Sequence, residues 1–217
     1  MLITWLGHSA FKLQGKTNSE TVTVITDPFF PEKVGLKLPR LEAEIVTISH
    51  GHDDHNNAAA VKGDPRVIDG PGEYEMKGVF VEGISSYHDD KQGAERGSNI
   101  IFRIEIEDLS ITHLGDLGHE LDNKQLESLE GTDILLIPIG GTYTIDAQKA
   151  VNVINQIEPR IVIPMHYDVP GLKLGKPLAN LDAFLKAIAV KPRYEEKLKI
   201  VKKELPQEDM EVIVLSM

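Results

Sequence analysis

Thr47-Ile-Ser-His-Gly-His-Asp-Asp-His55 is the stretch on which the reading of this chain turns. It gathers His50, His52, Asp54 and His55 directly after the apolar run Ile45, Val46 and Ile48. Imidazole and carboxylate suit a borderline divalent ion, and with no cysteine in the chain no thiolate competes for it. Side chains alternate along an extended segment, so His50 and His52 point the same way. Asp54 and His55 then turn away toward a second position. Four such groups at the exit of a strand make a nest for one metal ion or a pair.

Working outward, other candidate ligands sit where apolar runs end. Asp27 closes Ile25-Thr-Asp-Pro28, His88 lies in Tyr87-His-Asp89, Asp116 ends His113-Leu-Gly-Asp116, and His166 follows Ile163-Pro-Met165. In this order the motifs resemble the signature of the metallo-β-lactamase superfamily over nearly the whole chain. Trp5-Leu-Gly-His-Ser9 narrows the resemblance to the branch related to ascorbate-6-phosphate lactonase, whose members often open this way.

That resemblance implies an α+β fold, a four-layer αββα sandwich, and two divalent ions, Zn²⁺ or Mn²⁺ with Fe²⁺ as a further option. It implies a first site of His50, His52, His88 and Asp116, and a second of Asp54, His55, His166 and Asp116. Asp116 would bridge the ions, and Asp54 and Asp116 would carry the catalytic role. A hydroxide held between two such ions attacks a carbonyl or phosphorus at neutral pH. The expected activity is metal-dependent hydrolysis of a small anionic lactone or ester. The alternatives are a phosphodiesterase and a non-catalytic metal-binding or regulatory protein.

Other residues are assigned from local pattern. Asp27 is expected to orient a ligand histidine from behind. His8 is expected near the site as a supporting or substrate-binding group, His113 behind the ligands, and His119 on the surface. Gly141, in Gly140-Gly-Thr-Tyr-Thr144, offers backbone N–H groups to an oxyanion or phosphate. Lys173 and Lys176, in the loop after His166, are candidates for attracting an anionic substrate. Arg96, in Gly93–Asn99, is a similar candidate.

Length and composition set outer bounds. With 217 residues the chain suits one domain over residues 1–217, and 41% hydrophobic and 26% charged residues are ordinary for a globular protein. A net charge of −11 argues against a phosphate-backbone partner, though bound divalent ions reverse the local field for a small anion. No signal-like or membrane-spanning run is present, so a cytoplasmic protein with no membrane partner is expected. A homo-oligomer is compatible with the sequence.

Short β-type runs are expected at Leu2–Leu6, Ala10–Leu13, Val22–Thr26, Ile45–Ile48, Val67–Asp69, Val79–Ile84, Ile100–Ile106 and Leu109–His113. A tight turn falls at Asp108. Ile134–Ile139 and Ile161–Pro164 read as buried strands, and Met210–Leu215 as a final one. Helices are expected at Asn56–Lys62, Leu121–Leu129, Asp146–Ile157 with Thr144 or Asp146 as N-cap, and Leu178–Val190.

Overall fold

The structure is a computed structural model, and it describes residues 1–17 and 20–217. Its first half builds one sheet. Strands β1 (Leu2–Gly7), β2 (Ala10–Thr17) and β3 (Glu20–Thr26) form an antiparallel meander. A short helix α1 (Pro31–Val34) and strand β4 (Leu41–Glu42) follow, then β5 (Ile45–Thr47), β6 (Val61–Lys62) and β7 (Arg66–Ile68). β5 pairs parallel with both β3 and β7.

The second half builds the other sheet. Strands β8 (Gly72–Met76), β9 (Val79–Tyr87), β10 (Ser98–Ile106) and β11 (Leu109–His113) run as antiparallel neighbours. After helix α2 (Asn123–Ser128), strand β12 (Ile134–Pro138), helix α3 (Ala147–Ile157) and strand β13 (Ile161–Met165) continue it in parallel. Helix α4 (Leu181–Ile188) leads to β14 (Arg193–Glu195), β15 (Leu198–Lys199) and β16 (Glu211–Leu215). The resulting orders are β15-β1-β2-β3-β5-β7 and β14-β16-β13-β12-β11-β10-β9-β8, with β4 and β6 as a separate pair.

Strand alternation explains the layers. Ile3, Trp5, Phe11, Leu13, Val24 and Ile45 of the first sheet share one buried cluster with Phe102, Ile104 and Ile111 of the second. Val153, Ile154 and Phe184 bring α3 and α4 into the same cluster. The opposite face of the first sheet, with Ile25 and Val46, buries Phe29, Val34, Leu36 and Val61 in a second cluster. The fold is α+β, with two sheets between covering layers, and only the layer on the second sheet is built mainly of regular helix.

Three expected helices are corrected. Asn56–Lys62 is a single 3-10 turn, Ala58–Ala60, because Val61 and Lys62 leave it to pair with Leu41 and Glu42. Leu121–Leu129 shortens to Asn123–Ser128, where Asp122 and Gln125 form a capping box. Leu178–Val190 shortens to Leu181–Ile188. Asn180 caps its start, and Ala179 is held extended by backbone bonds to Gly140 and Asp168. Asp146, not Thr144, caps α3. The Glu107-Asp108 turn has positive φ at both residues, as a two-residue hairpin demands.

One consequence of the topology sets the site. β1, β3 and β5 run in one direction, and so do β9, β11, β12 and β13. Loops leaving their C-terminal ends are the usual place for ligands in parallel sheets. His8, Asp27, His88 and His166 each directly follow the last residue of such a strand.

Candidate metal centre

The loop after β5 delivers His50, His52, Asp54 and His55 to this edge, and the other strands bring the rest. Ring or carboxylate atoms of His50, His52 and His88 lie within 4.8 Å of one another, as do those of His8, Asp54, His55 and His166. Asp116 stands between the groups. Its Oδ2 is 3.2 Å from His88 Nε2 and 3.2 Å from His166 Nε2, and its Oδ1 is 3.3 Å from His55 Nε2. The backbone N–H of Asp116 donates to Asn99 Oδ1 at 2.9 Å, which fixes the turn that presents the carboxylate.

Asp27 works from behind. Its Oδ2 accepts from His55 Nδ1 at 2.8 Å and from Ser49 Oγ at 2.5 Å, and its Oδ1 accepts from the Ser49 backbone N–H at 2.8 Å. Because the Ser49 hydroxyl proton goes to Asp27, Ser49 Oγ must accept from His50 Nδ1 at 2.9 Å. One carboxylate thereby sets the tautomer of two histidines, directly for His55 and through Ser49 for His50. In both rings Nδ1 is thereby committed to a proton, and Nε2 is left as the nitrogen that can face a cation. Asp27 also groups closely with His50 and His55, but with both oxygens taken it belongs behind them.

The donor set fits a divalent ion. Among the described residues, His50 Nε2, His55 Nε2, His88 Nδ1, both ring nitrogens of His166 and Asp116 Oδ1 are buried with no hydrogen-bond partner. Unpaired buried polar atoms are costly, and native proteins hold few of them. Their concentration in one place matches imidazole and carboxylate groups converging on cations.

Electrostatics agree. Burial lowers His50 to about 3, aided by His55, and lowers His8 to about 4, aided by His166. Both are therefore neutral at pH 7. Burial disfavours the charged forms of Asp54 and Asp116, yet nearby histidines outweigh it and hold both below the usual carboxylate range. His55 is raised because Asp116 and Asp54 overcome its burial. Binding of a cation beside His55 therefore releases a proton.

Three site residues, His8, Asp27 and His166, have positive φ of 54°, 40° and 52°. Such conformations are uncommon outside glycine and persist where the surroundings fix them. His113 is one of those surroundings: its Nε2 lies 2.8 Å from Ser9 O, and its Nδ1 accepts from Gly115 N at 3.2 Å. It is a buried brace for the turn that carries His8.

Several sequence expectations are corrected. Gly141 offers no anion cradle, since its N–H donates to Ile145 O and those of Tyr143 and Thr144 donate to Gly141 O. The start of α3 is likewise filled, because Asp146 accepts from Gln148 and Lys149 N–H. Lys173 and Lys176 are exposed, on the loop whose Leu174 and Gly175 line the cavity of about 240 Å³ at the site. Beyond the ligand candidates, that cavity is lined by Lys33, Asp53, Tyr143, Leu174 and Gly175. Lys33 reaches it from α1, with Nζ 2.9 Å from Asp53 Oδ2. Arg96 braces the rim, donating to Thr142 O at 2.9 Å and lying 5.5 Å from the Tyr143 ring centre. His119 is half-buried, and its Nε2 accepts from Tyr87 N at 3.1 Å.

Ser49, Asn99, Lys33 and Gly118 were not singled out from sequence. Gly118 packs against the chain at His88 and Asp89, where a Cβ would collide with backbone. Asp89, beside His88, accepts from the N–H groups of Arg96, Lys91, Glu95 and Gly93. These bonds outweigh burial and hold its pKa down to about 2. An unfolded aspartate titrates near about 3.9. Asp89 therefore stabilises the fold above that pH, and its contribution is lost as pH falls toward about 2. Asp89→Ala is expected to lower the melting temperature at pH 7, with the difference from wild type shrinking below pH ~4. A constant difference across that range in thermal melts would contradict this.

Comparison with known proteins places this architecture. Residues 2–166 match the beta-lactamase superfamily domain. A proposed Zn-dependent hydrolase of the metallo-β-lactamase superfamily from Thermotoga maritima is 36% identical, with a TM-score of 0.77 over 99% of this chain and 97% of its own. A metal-dependent hydrolase of Methanosarcina mazei is 32% identical, covering 76% of this chain and 83% of its own length. Another, of Thermoplasma volcanium, is 29% identical, covering 91% and 98% respectively. The chain belongs to the metallo-β-lactamase superfamily. Within it, the chain falls among the metal-dependent hydrolases.

Proposed function

We propose that this chain is a metal-dependent hydrolase with a two-ion centre, acting on a small anionic lactone or ester. The observation that carries the reading is the placement of Asp116, whose carboxylate lies within 3.3 Å of His55, 3.2 Å of His88 and 3.2 Å of His166, and so touches candidate ligands of both groups. His50, His52 and His88 would hold one ion, and Asp54, His55 and His166 the other, with Asp116 shared. Bound divalent ions supply Lewis acidity toward a water and toward the substrate's oxygen. The protein's part is to fix the ligands: Asp27 and Ser49 hold His50 and His55, and Asn99 holds the Asp116 turn.

Cavity size supports a small substrate, since ligand pockets commonly span roughly 300–1,000 Å³ and this one is about 240 Å³. The likeness of Trp5–Ser9 to the lactonase-related branch supports a lactone or ester. Lys33 supports an anionic group on it. Its pairing with Asp53 is exposed, and exposed ion pairs exchange at little cost. Lys33→Ala is expected to raise KM for an anionic ester about 3- to 10-fold with kcat little changed. Added salt should weaken the wild-type advantage. Lys173→Ala with Lys176→Ala should leave KM unchanged, and the reverse pattern would return the role to those two residues.

The test of the whole reading is metal-stripped protein reloaded with Zn²⁺ or Mn²⁺ and assayed on lactones, carboxylic esters and a phosphodiester. Elemental analysis runs in parallel. Metal-dependent turnover of a lactone or ester supports the proposal. Turnover of the phosphodiester alone redirects it to phosphorus chemistry. Metal uptake without turnover on any of them favours a binding protein.

A further inference from the structure

The loop between β1 and β2 carries a histidine whose surroundings are more specified than a turn requires. His8 is 1% exposed, and its backbone is left-handed with φ 54°. Its carbonyl accepts from Trp5 Nε1 at 2.9 Å and from the His166 N–H at 3.1 Å. The next carbonyl, of Ser9, is the one that faces His113 Nε2. The imidazole is thereby aimed into the centre. Its Nε2 lies 3.1 Å from Asp54 Oδ2, and its ring centre lies 4.1 Å from that of His166. A carboxylate only accepts, so His8 Nε2 carries the proton and donates.

We infer that His8 is a positioning residue for one half of the centre: it holds Asp54 by one oxygen and backs the ring of His166. This rests on the two-ion reading above and specifies which ion depends on His8. Asp54 needs such a partner because it is only half-buried, so packing alone does not fix it. His55 is fixed by Asp27 and His50 by Ser49, but no bond from Asp27 or Ser49 reaches Asp54. His8 fills that role from another strand. Its backbone bond from the His166 N–H couples the two ligands it serves, so Asp54 and His166 move with one turn. His50, His52 and His88 have no contact of this kind with it.

The inference separates the two ions, and the test reads that separation. The full chain is stripped with chelator and titrated with Mn²⁺ or Zn²⁺, and bound ions are counted by elemental analysis. Wild type, His8→Phe and His8→Gln are compared. Phe fills the space without a donor, and Gln restores a donor at a similar reach. Both residues bear the same left-handed backbone, so their difference reads the bond to Asp54. The Phe variant should keep one ion at wild-type affinity and bind the second about 10- to 100-fold more weakly, the range for lost supporting partners of metal ligands. The Gln variant should recover most of the second ion. If the Phe variant does not fold, His8→Asn keeps the backbone but is too short to reach Asp54, and should lose the second ion likewise.

Two ions bound as in wild type by His8→Phe would overturn the role and leave His8 as packing. Equal weakness of the Gln and Phe variants would overturn it too, by showing that the ring itself is required. A wild-type chain that binds a single ion overturns the two-ion reading instead, and this is seen before any variant is compared.

Discussion

Asp116→Asn is expected to abolish most hydrolysis, lowering kcat by more than about 100-fold, the upper end of what the loss of a mere supporting partner costs a metal site. The side chain keeps its size, and its backbone N–H still donates to Asn99, so the turn should persist. What changes is the charge between His55, His88 and His166. An amide offers one weak oxygen where the carboxylate offered two. On the two-ion proposal, the ion count should drop from two to one or none. The metal-free variant should also melt below the metal-free wild type, because Asp116 balances a His55 whose pKa it raises. That contribution of His55 is present below its unfolded pKa, about 6.5, and is lost as pH rises through its raised folded value. The gap in melting temperature should therefore narrow at high pH. Two bound ions with near-normal turnover in Asp116→Asn would rule out the shared role.

Asp27→Asn is expected to be the next most severe change, although Asp27 does not face the centre. Asparagine accepts the left-handed backbone that this position requires. It presents one oxygen and one N–H₂ group to three donors: Ser49 N–H, Ser49 O–H and His55 Nδ1–H. The mismatch forces at least one of them to turn its proton elsewhere. In His55 that means Nε2, the atom that faces Asp116. Metal affinity should fall about 10- to 100-fold. Stability should fall by about 1–3 kcal/mol for each buried donor left unpaired. Ser49→Ala should show a milder form confined to His50. Titrations of metal binding in the two variants check this. Equal affinities in wild type and Asp27→Asn would sink the relay.

What was legible in the sequence follows from how local each signal is. His50, His52, Asp54 and His55 sit within one short loop, and Asp27, His88, Asp116 and His166 follow apolar runs that end as buried strands do. Lys33 gave no such sign. It lies outside the metal-loop motif and meets the cavity through its pairing with Asp53, which no local pattern announces. Ser49 and Asn99 are ordinary polar residues whose meaning is their bonding. Gly72–Met76 was missed because an edge strand with Glu73 and Glu75 facing outward lacks the apolar pattern. Asn56–Lys62 misled because its alanines favour helix, while pairing of Val61 with Leu41 decides otherwise.

Each half of the centre draws on both sheets. His50 and His52 come from the loop after β5 and meet His88 from β9; Asp54 and His55 meet His166 from β13. An ion in either place is then a cross-link between residues far apart in the chain, closing long loops much as a disulfide does. This chain has no cysteine with which to make a covalent one. Metal loading should therefore slow hydrogen exchange deep in both sheets, not only at the ligand loops. The ions that serve the reaction would also be the rivets that keep the two halves from sliding apart.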